Sequence, residues 1–412
     1  MITAHKFDFN VGRSKTLIKV IGVGGGGSNA VTNMFKRGIQ NVSFVVCNTD
    51  AQALENSIVP NRLQIGINLT NGLGAGANPE VGKNAAIESK EEIETLLNDG
   101  TKMVFITAGM GGGTGTGAAP VIASIASKLG ILTVGIVTTP FSFEGAKKAE
   151  QAQNGIKELK QYCDTVLVIL NDKLRDVLGN LSVSNAFSQA DNVLTTAAKS
   201  IAEIITVPGY VNVDFEDVKT VMKKSGTAVM GSAQTEGEGR AKKAAEMALK
   251  SPLLDFRDVR GAKKILLSIV SGYEDELQMD ELSIITSYIH EQVGNDAEMI
   301  FGHGLDSQLK ESIRVTVIAT GFDNIYDEIH TNADHKCTNK LNETKKQVRV
   351  RSKKSDVQQQ LFNDDDTSVQ DTSQNNHVKR NRPIVFDDDY IYEYTHTPAY
   401  IRRNVILIQI DE

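Results

Sequence analysis

The chain of 412 residues has no tryptophan, and aromatic residues make up only 6% of it, a scarcity that says little about function. It has three cysteines, Cys47, Cys163 and Cys337, with no CxxC pair and no metal-ligand spacing among them. Scattered thiols of this kind suit a reducing cytoplasm and are expected to be inert. No apolar run reaches about 18 residues, so no membrane-spanning helix is expected. The opening MITAHKFDFN lacks an apolar h-region, so no secretory signal is expected either. Positive charge is not in excess: 44 Lys and Arg face 51 Asp and Glu, a net charge of −7. That balance argues against nucleic acid as a partner, beyond what a local basic patch could hold.

What is present fits a soluble globular protein, with 40% hydrophobic and 23% charged residues. At about 150 residues per domain the length allows two or three domains. After a loose arm at 1–14, short apolar runs alternate with helical spacing. Leu17–Ile21, Ser43–Cys47, Met103–Thr107, Ile131–Val137 and Thr165–Leu170 read as strands. Ser28–Lys36 and Ala118–Leu129 read as helices, with Pro120 in the first turn of the second. This alternation predicts an α/β fold with a parallel sheet covered on both faces. Gln189–Thr206 predicts a long helix, apolar over much of its circumference, buried between two layers or domains. A smaller α/β region follows to residue 322, with strands at Lys264–Val270 and Arg314–Ala319 and helices at Arg240–Lys250 and Asp280–Val293. No internal repeat is evident. Residues 323–382 are polar and charged and read as a disordered linker. Apolar and aromatic residues return at 383–412.

Glycine dominates two strand-to-helix turns, Gly22-Val23-Gly24-Gly25-Gly26-Gly27 and Gly111–Gly117 (GGGTGTG), and a third segment, Gly72–Asn78. Such turns bring backbone N–H groups close to an anion, and a helix N-terminus adds partial positive charge. Together the three segments read as walls of one polyphosphate site. Gly22, Gly24 and Gly27 also match GxGxxG, with Asp50 at the distance of a ribose-binding acid, which by itself suggests an NAD-dependent oxidoreductase. A second, richer glycine loop is foreign to that design. Gly82-Lys83 has the look of a Walker A lysine, but its spacing from Gly76 is one residue too long. Asn84 also stands where a magnesium-binding Ser or Thr belongs.

At GGGTGTG the sequence resembles the FtsZ family, the bacterial cell-division homologues of tubulin. The resemblance extends over residues 15–322 through IGVGGGGSNAV (21–31), NTDAQAL (48–54), GLGAGANPEVGKNAA (72–86), PFSFEG (140–145), NDKL (171–174), NVDFEDVKTVM (212–222) and SGTAVMGSA (225–233). It implies a Rossmann-like GTPase domain (15–188), a central helix (189–206) and a smaller α/β domain (207–322). It also implies GTP hydrolysis coupled to filament assembly in the cytoplasm at the mid-cell division site. It assigns the phosphates of GTP or GDP to Gly24, Gly25, Gly26, Gly27 and Ser28 and to Gly111, Gly112, Gly113, Thr114 and Gly115, with Ala75 and Gly76 nearby and Mg2+ on the phosphates. Glu144 would bind ribose. Asn29, Asn171, Phe187 and Asp191 would recognise guanine, whose N1–H and N2 edge offers a carboxylate two donors that adenine lacks. One position departs: Lys148 stands where the family usually has arginine. Lysine keeps the charge but loses the two-pronged grip, so altered affinity or turnover is expected.

Hydrolysis requires a group that orients water beside the γ-phosphate. Asp214 and Asp217, with Asn212, are the candidates, and i, i+3 spacing can put both acids on one face. The competing reading is a helix N-cap with first-turn acids, in which case the chain is a GTP-binding scaffold that does not hydrolyse. The helix at 189–206 spans about 27 Å. It separates Asp191 from these acids, which favours action on the nucleotide of a neighbouring subunit in a head-to-tail filament. In the tail, Pro398, Tyr400, Ile401, Arg402 and Arg403 resemble the family's peptide for membrane-anchoring and regulatory division proteins. The apolar extension Asn404–Ile410 is longer than the family suggests.

Overall fold

In a computed structural model of the protein, residues 16–322 are described, apart from 40, 180, 207–212, 252–258 and 295–296. The arm, the linker, the tail with Pro398–Arg403, and Asn212 lie outside the described residues.

The first half runs β1 (Ile18–Val23), α1 (Gly24–Lys36), β2 (Val42–Asn48), α2 (Ala51–Glu55), β3 (Asn61–Gln64), α3 (Ile67–Thr70), α4 (Pro79–Glu88), α5 (Lys90–Leu97), β4 (Met103–Gly109), α6 (Thr114–Lys128), β5 (Leu132–Thr139), a 3-10 turn at Ser142–Glu144, α7 (Ala146–Lys160), β6 (Thr165–Leu170) and α8 (Asn171–Leu178). The long helix α9 (Val183–Thr206) follows. Then come α10 (Phe215–Met222), β7 (Gly226–Thr235), α11 (Arg240–Leu249), β8 (Lys264–Ser271), α12 (Met279–Val293), β9 (Glu298–Leu305) and β10 (Ile313–Thr320).

The ten strands form one sheet in the order β3-β2-β1-β4-β5-β6-β7-β10-β8-β9. From β3 to β6 every pairing is parallel. Helices cover both faces, and β1 is buried along its whole length. That burial is why these strands read as unbroken apolar runs rather than as alternating patterns. The start of β7 continues the parallel array, pairing Thr165 with Gly226 and Leu167 with Ala228. The rest of β7 turns antiparallel to β10. One strand thus carries the sheet from the first layer into the second.

Helix α9 is sandwiched. Leu194, Ala198 and Ile201 share one core with Ile18, Val20 and Phe105 of the parallel sheet and with Met230, Leu266 and Ile318 of the later strands. The opposite face of the parallel sheet packs on the small, apolar side of α6, whose Ala118, Ala119, Ile122 and Ala123 are buried.

Three boundaries differ from expectation. Helices α1 and α6 begin at Gly24 and Thr114, so Gly24–Gly27 and Gly115–Gly117 lie in helical first turns, while Gly111–Gly113 form the turn before α6. Pro120 consequently lies inside α6 and not in its first turn. Its missing N–H frees the Thr116 carbonyl. Helix α9 starts at Val183, not Gln189. The Ser182 hydroxyl accepts from the Asn185 N–H at 3.3 Å, a cap one turn earlier than the apolar stripe begins.

Candidate functional site

The strand order reverses between β1 and β4, which are neighbours although five helices and two strands separate them along α1 to α5. In open parallel sheets the crevice at such a switch point, beyond the carboxyl ends of the strands, is where ligands bind. Both glycine runs emerge there, in register: Val23 ends β1 opposite Ala108 of β4. The helix starts converge, since a Cβ on Gly24 would sit 2.8 Å from the Gly115 nitrogen. Neither α1 nor α6 has a side-chain cap or an acidic residue in its first turn. The first N–H groups of two helices of 13 and 15 residues therefore aim, unneutralised, into one crevice. That arrangement of backbone donors suits an anion.

The glycines divide into two classes. Gly27 and Gly117 are required by the protein itself: a Cβ on the first would overlap the Thr107 carbonyl oxygen, and one on the second the Pro79 carbonyl oxygen. Gly25 and Gly112 have open space where a Cβ would project. Among the described residues nothing is close enough to require glycine at either position. Gly26 and Gly111 line the same turns, and Gly113 packs on the buried Ala75, 2.8 Å from a Cβ on the glycine to the alanine methyl. That contact brings the Gly72–Asn78 segment, with Gly76 exposed on it, to the rim of the crevice.

Polar side chains at the crevice fit an incoming ligand. The Ser28 hydroxyl and the Asn171 amide oxygen are buried without a hydrogen-bond partner. Buried polar atoms are seldom left so, because each costs about 1–3 kcal/mol when unsatisfied. Asn171 follows directly on β6, with its side chain at the carboxyl end of the sheet. Asn29 is exposed on α1. Asp191 is half-buried on α9, and burial pushes its carboxyl up to about 6. No salt bridge compensates it among the described residues. Its neighbour Asn192 accepts from the Asn33 side chain at 3.0 Å, which ties α9 to α1.

Phe187 is 41% exposed. It stands edge-on to the buried Phe141, ring centres 5.2 Å apart, and Phe141 stacks on Phe143 at 5.1 Å. Phe187 is thus a partly exposed ring braced by Phe141, where sequence alone allowed an ordinary core aromatic. Behind these rings lies a cavity of about 270 Å³ lined by Phe141, Phe143, Leu174, Arg175, Leu181 and Val183 among others. Glu144 is held on both oxygens: Oε1 accepts the Phe141 N–H at 2.9 Å, and Oε2 pairs with the Lys148 amine at 3.1 Å. The Lys148 backbone borders Gly111, with 2.8 Å between its carbonyl oxygen and a Cβ on the glycine. The two charged residues therefore sit beside the second glycine turn, with the lysine turned onto the glutamate.

Thr114, first residue of α6, is 9% exposed, and its hydroxyl lies 2.7 Å from that of Thr49, which is fully buried. Sequence reasoning passed over Thr49 and Phe141. NTDAQAL and PFSFEG marked their segments, but no spacing rule singles out either side chain.

Asp214 and Asp217 are not at this crevice. Asp214 is the N-cap of α10: its Oδ1 accepts from the Asp217 N–H at 2.9 Å, and Asp217 Oδ2 accepts from the Asp214 N–H at 3.1 Å. Both are exposed, and this reciprocal box leaves each a second oxygen facing outward. Helix α10 packs at the amino end of the sheet, where the Thr165 hydroxyl donates to the Met222 carbonyl at 2.5 Å. Asn171 lies past the other end of that same strand, about 20 Å away at roughly 3.3 Å per residue.

Among the described residues no group of three or more His, Cys, Asp or Glu is placed to hold a metal ion. No helix among them is long and apolar enough to cross a membrane.

Comparison with known proteins agrees with this geometry. The family model "Tubulin/FtsZ family, GTPase domain" matches residues 17–179, and "FtsZ family, C-terminal domain" matches residues 226–323. Cell division protein FtsZ of Buchnera aphidicola is 51% identical over 309 residues, 75% of this chain and 80% of that protein. Its counterpart in Porphyromonas gingivalis is 41% identical over 426 aligned positions, 98% of this chain and 89% of that one. A solved FtsZ dimer of M. jannaschii superposes with a TM-score of 0.71 at 43% identity, covering 75% of this chain and 89% of that chain. CetZ1 of Haloferax volcanii, at 22% identity and a TM-score of 0.66, shares the fold. These matches replace the dinucleotide-oxidoreductase reading of GVGGGG: the chain belongs to the FtsZ family of tubulin-like, GTP-binding GTPases of cell division.

Proposed function

We propose that the chain hydrolyses GTP where two copies meet head to tail, and that such contacts repeat into the filaments of a bacterial division ring. One observation carries the reading. The crevice with the convergent helix N-termini lies beyond the carboxyl ends of the parallel strands, whereas α10, which begins at the candidate acids Asp214 and Asp217, packs by Met222 on the amino end of β6. In this reading a chain does not bring its own acids to its own triphosphate. A second copy does, and a contact between two different surfaces does not close on itself, so it propagates. Exposed apolar residues at the crevice rim suit such a contact: Phe143 is 61%, Val183 65% and Leu73 86% exposed.

In this reading the N–H groups of Gly24–Gly27, Ser28 and Gly111–Gly115 hold the phosphates, and Thr114 adds a hydroxyl. Ala75 and Gly76 form the far wall. Glu144, steadied by Lys148, accepts from the ribose hydroxyls. Asn29, Asn171 and Asp191 meet the guanine edge, and Phe187 stacks on the base. Mg2+, when bound with the nucleotide, would offset the charge of the phosphates. The outward oxygens of Asp214 and Asp217, with Asn212, accept from the attacking water of the neighbouring site and orient it toward the γ-phosphorus. The tail Pro398–Arg403 docks on membrane-anchoring and regulatory division proteins, which places the filament in the cytoplasm at mid-cell.

The capping box favours a second reading, in which Asp214 only starts a helix and the chain is a scaffold that binds GTP without hydrolysing it. Asp214→Asn separates the two. Asparagine caps as well as aspartate, so stability should change by less than about 0.5 kcal/mol. If the carboxylate orients water, steady-state phosphate release falls at least about tenfold while GTP affinity holds. Turnover close to that of the unmodified chain would confine Asp214 to capping.

A further inference from the structure

Thr49 and Thr114 come from different elements, the turn after β2 and the first residue of α6, and meet as a buried hydroxyl pair 2.7 Å apart. Each hydroxyl carries one proton. If Thr114 spends its proton on Thr49, its oxygen can only accept. An ionised phosphate oxygen has no proton to give, so Thr114 can bind it only when Thr49 is the donor of the pair. Among the described residues Thr114 is the partner of the Thr49 hydroxyl, so no other acceptor competes for that proton. The Thr49 backbone is fixed on both sides. Its N–H donates to Asn48 Oδ1 at 2.9 Å, and two residues on the Ala51 N–H donates to the Gly72 carbonyl at 3.0 Å; the Thr70 hydroxyl lies 3.3 Å from the Thr49 carbonyl but shares its one proton with the Gly66 carbonyl at 2.9 Å. Thr70 ends α3, directly before the Gly72–Asn78 rim.

We propose that Thr49 is a positioning residue of the phosphate site. Its hydroxyl donates to Thr114, turns the Thr114 proton into the crevice, and couples the second glycine turn to the segment leading into Gly72–Asn78. A hydroxyl that accepts while it donates is also the stronger donor. The inference rests on the reading of Thr114 as a phosphate donor.

The test is equilibrium binding of GTP, and of guanosine as a phosphate-free probe, to the full chain and to Thr49→Val, Thr49→Ala, Thr49→Ser, Thr114→Val and Thr49→Val/Thr114→Val. Thr114→Val should weaken GTP about fivefold, the factor of one net hydrogen bond. Thr49→Val and Thr49→Ala should lose part of that affinity, since the Thr114 hydroxyl keeps its proton but not its aim, Thr49→Ser should restore it, and guanosine binding should not move. The double variant should bind GTP no more weakly than Thr114→Val alone, because Thr49 acts through that hydroxyl. A full additional loss in the double variant, or equal losses for guanosine and GTP, would assign Thr49 a packing role and overturn the proposal. Unchanged GTP binding by Thr49→Val and Thr49→Ala beside a weakened Thr114→Val would also overturn it. GTP binding unaffected by Thr114→Val would remove the phosphate reading of Thr114 itself, a distinct result.

Discussion

Asp191 gives guanine recognition a pH dependence that can be calculated. A carboxylate accepts the N1–H and N2–H donors of guanine, whereas a protonated carboxyl presents a donor of its own and loses one acceptor. Burial raises this group to about 6 in the nucleotide-free protein. If only the ionised form binds, the apparent dissociation constant is multiplied by one plus the ratio of protonated to ionised protein. That factor is about 1.1 at pH 7, about 2 at pH 6 and about 11 at pH 5. The phosphates of GTP titrate in the same range. The useful quantity is therefore the ratio of the Asp191→Asn dissociation constant to that of the unmodified chain, in which nucleotide titration cancels. Asparagine keeps one acceptor and sets an amide donor against a guanine donor, so the ratio should be about a hundredfold at pH 7.5. It should fall about tenfold by pH 5, read by competition with a fluorescent guanine nucleotide. A ratio constant from pH 7.5 to pH 5 would refute the role of Asp191 as the ionised acceptor.

The same residue should weaken the empty protein. A carboxyl with a folded value raised above 3.8 opposes folding when ionised, so the penalty is full above about pH 6 and fades as pH falls toward 4. Asp191→Asn should then raise nucleotide-free stability at pH 7 by about 1–2 kcal/mol, allowing for partial solvent access, and by little at pH 4.5 in urea titrations. Unaltered stability at pH 7 would count against an uncompensated carboxylate. The two glycine classes should separate as well. Gly25→Ala should fold normally yet lose nucleotide affinity, and Gly117→Ala should lose stability by several kcal/mol because its methyl meets the Pro79 carbonyl. Similar melting temperatures for the two variants would contradict that division.

The parallel strands were legible because they are buried on both faces. Thr165–Leu170 was read to the residue, and Met103–Thr107 fell two short of β4. The stretch between β2 and β4 was not, because β3 is a four-residue edge strand, half of it exposed, and α3 has four residues. Glycine's low helix propensity hid the true starts of α1 and α6. There tertiary contact overrides propensity, with Gly27 and Gly117 admitting neighbouring backbone carbonyls. The early start of α9 was hidden because 183–188 carries no apolar stripe, since Phe187 and its neighbours face outward. Glycine turns and the family pattern located the crevice. The Thr49–Thr114 contact and the Phe141–Phe187 edge contact are long-range facts that spacing does not encode, whereas the i, i+4 spacing of Glu144 and Lys148 did permit their pairing.

The most direct test mixes two variants that are each inactive for a different reason. Asp214→Asn binds GTP but lacks the acid, and Asp191→Ala keeps the acid but does not hold guanine. In a random one-to-one copolymer, about a quarter of the contacts set an intact Asp214 against a bound GTP. Co-sedimentation should show both variants in one polymer, and phosphate release should return to about a quarter of the unmodified rate. A copolymer that contains both variants and releases no more phosphate than the two alone would mean that each chain must carry its own acids to its own nucleotide.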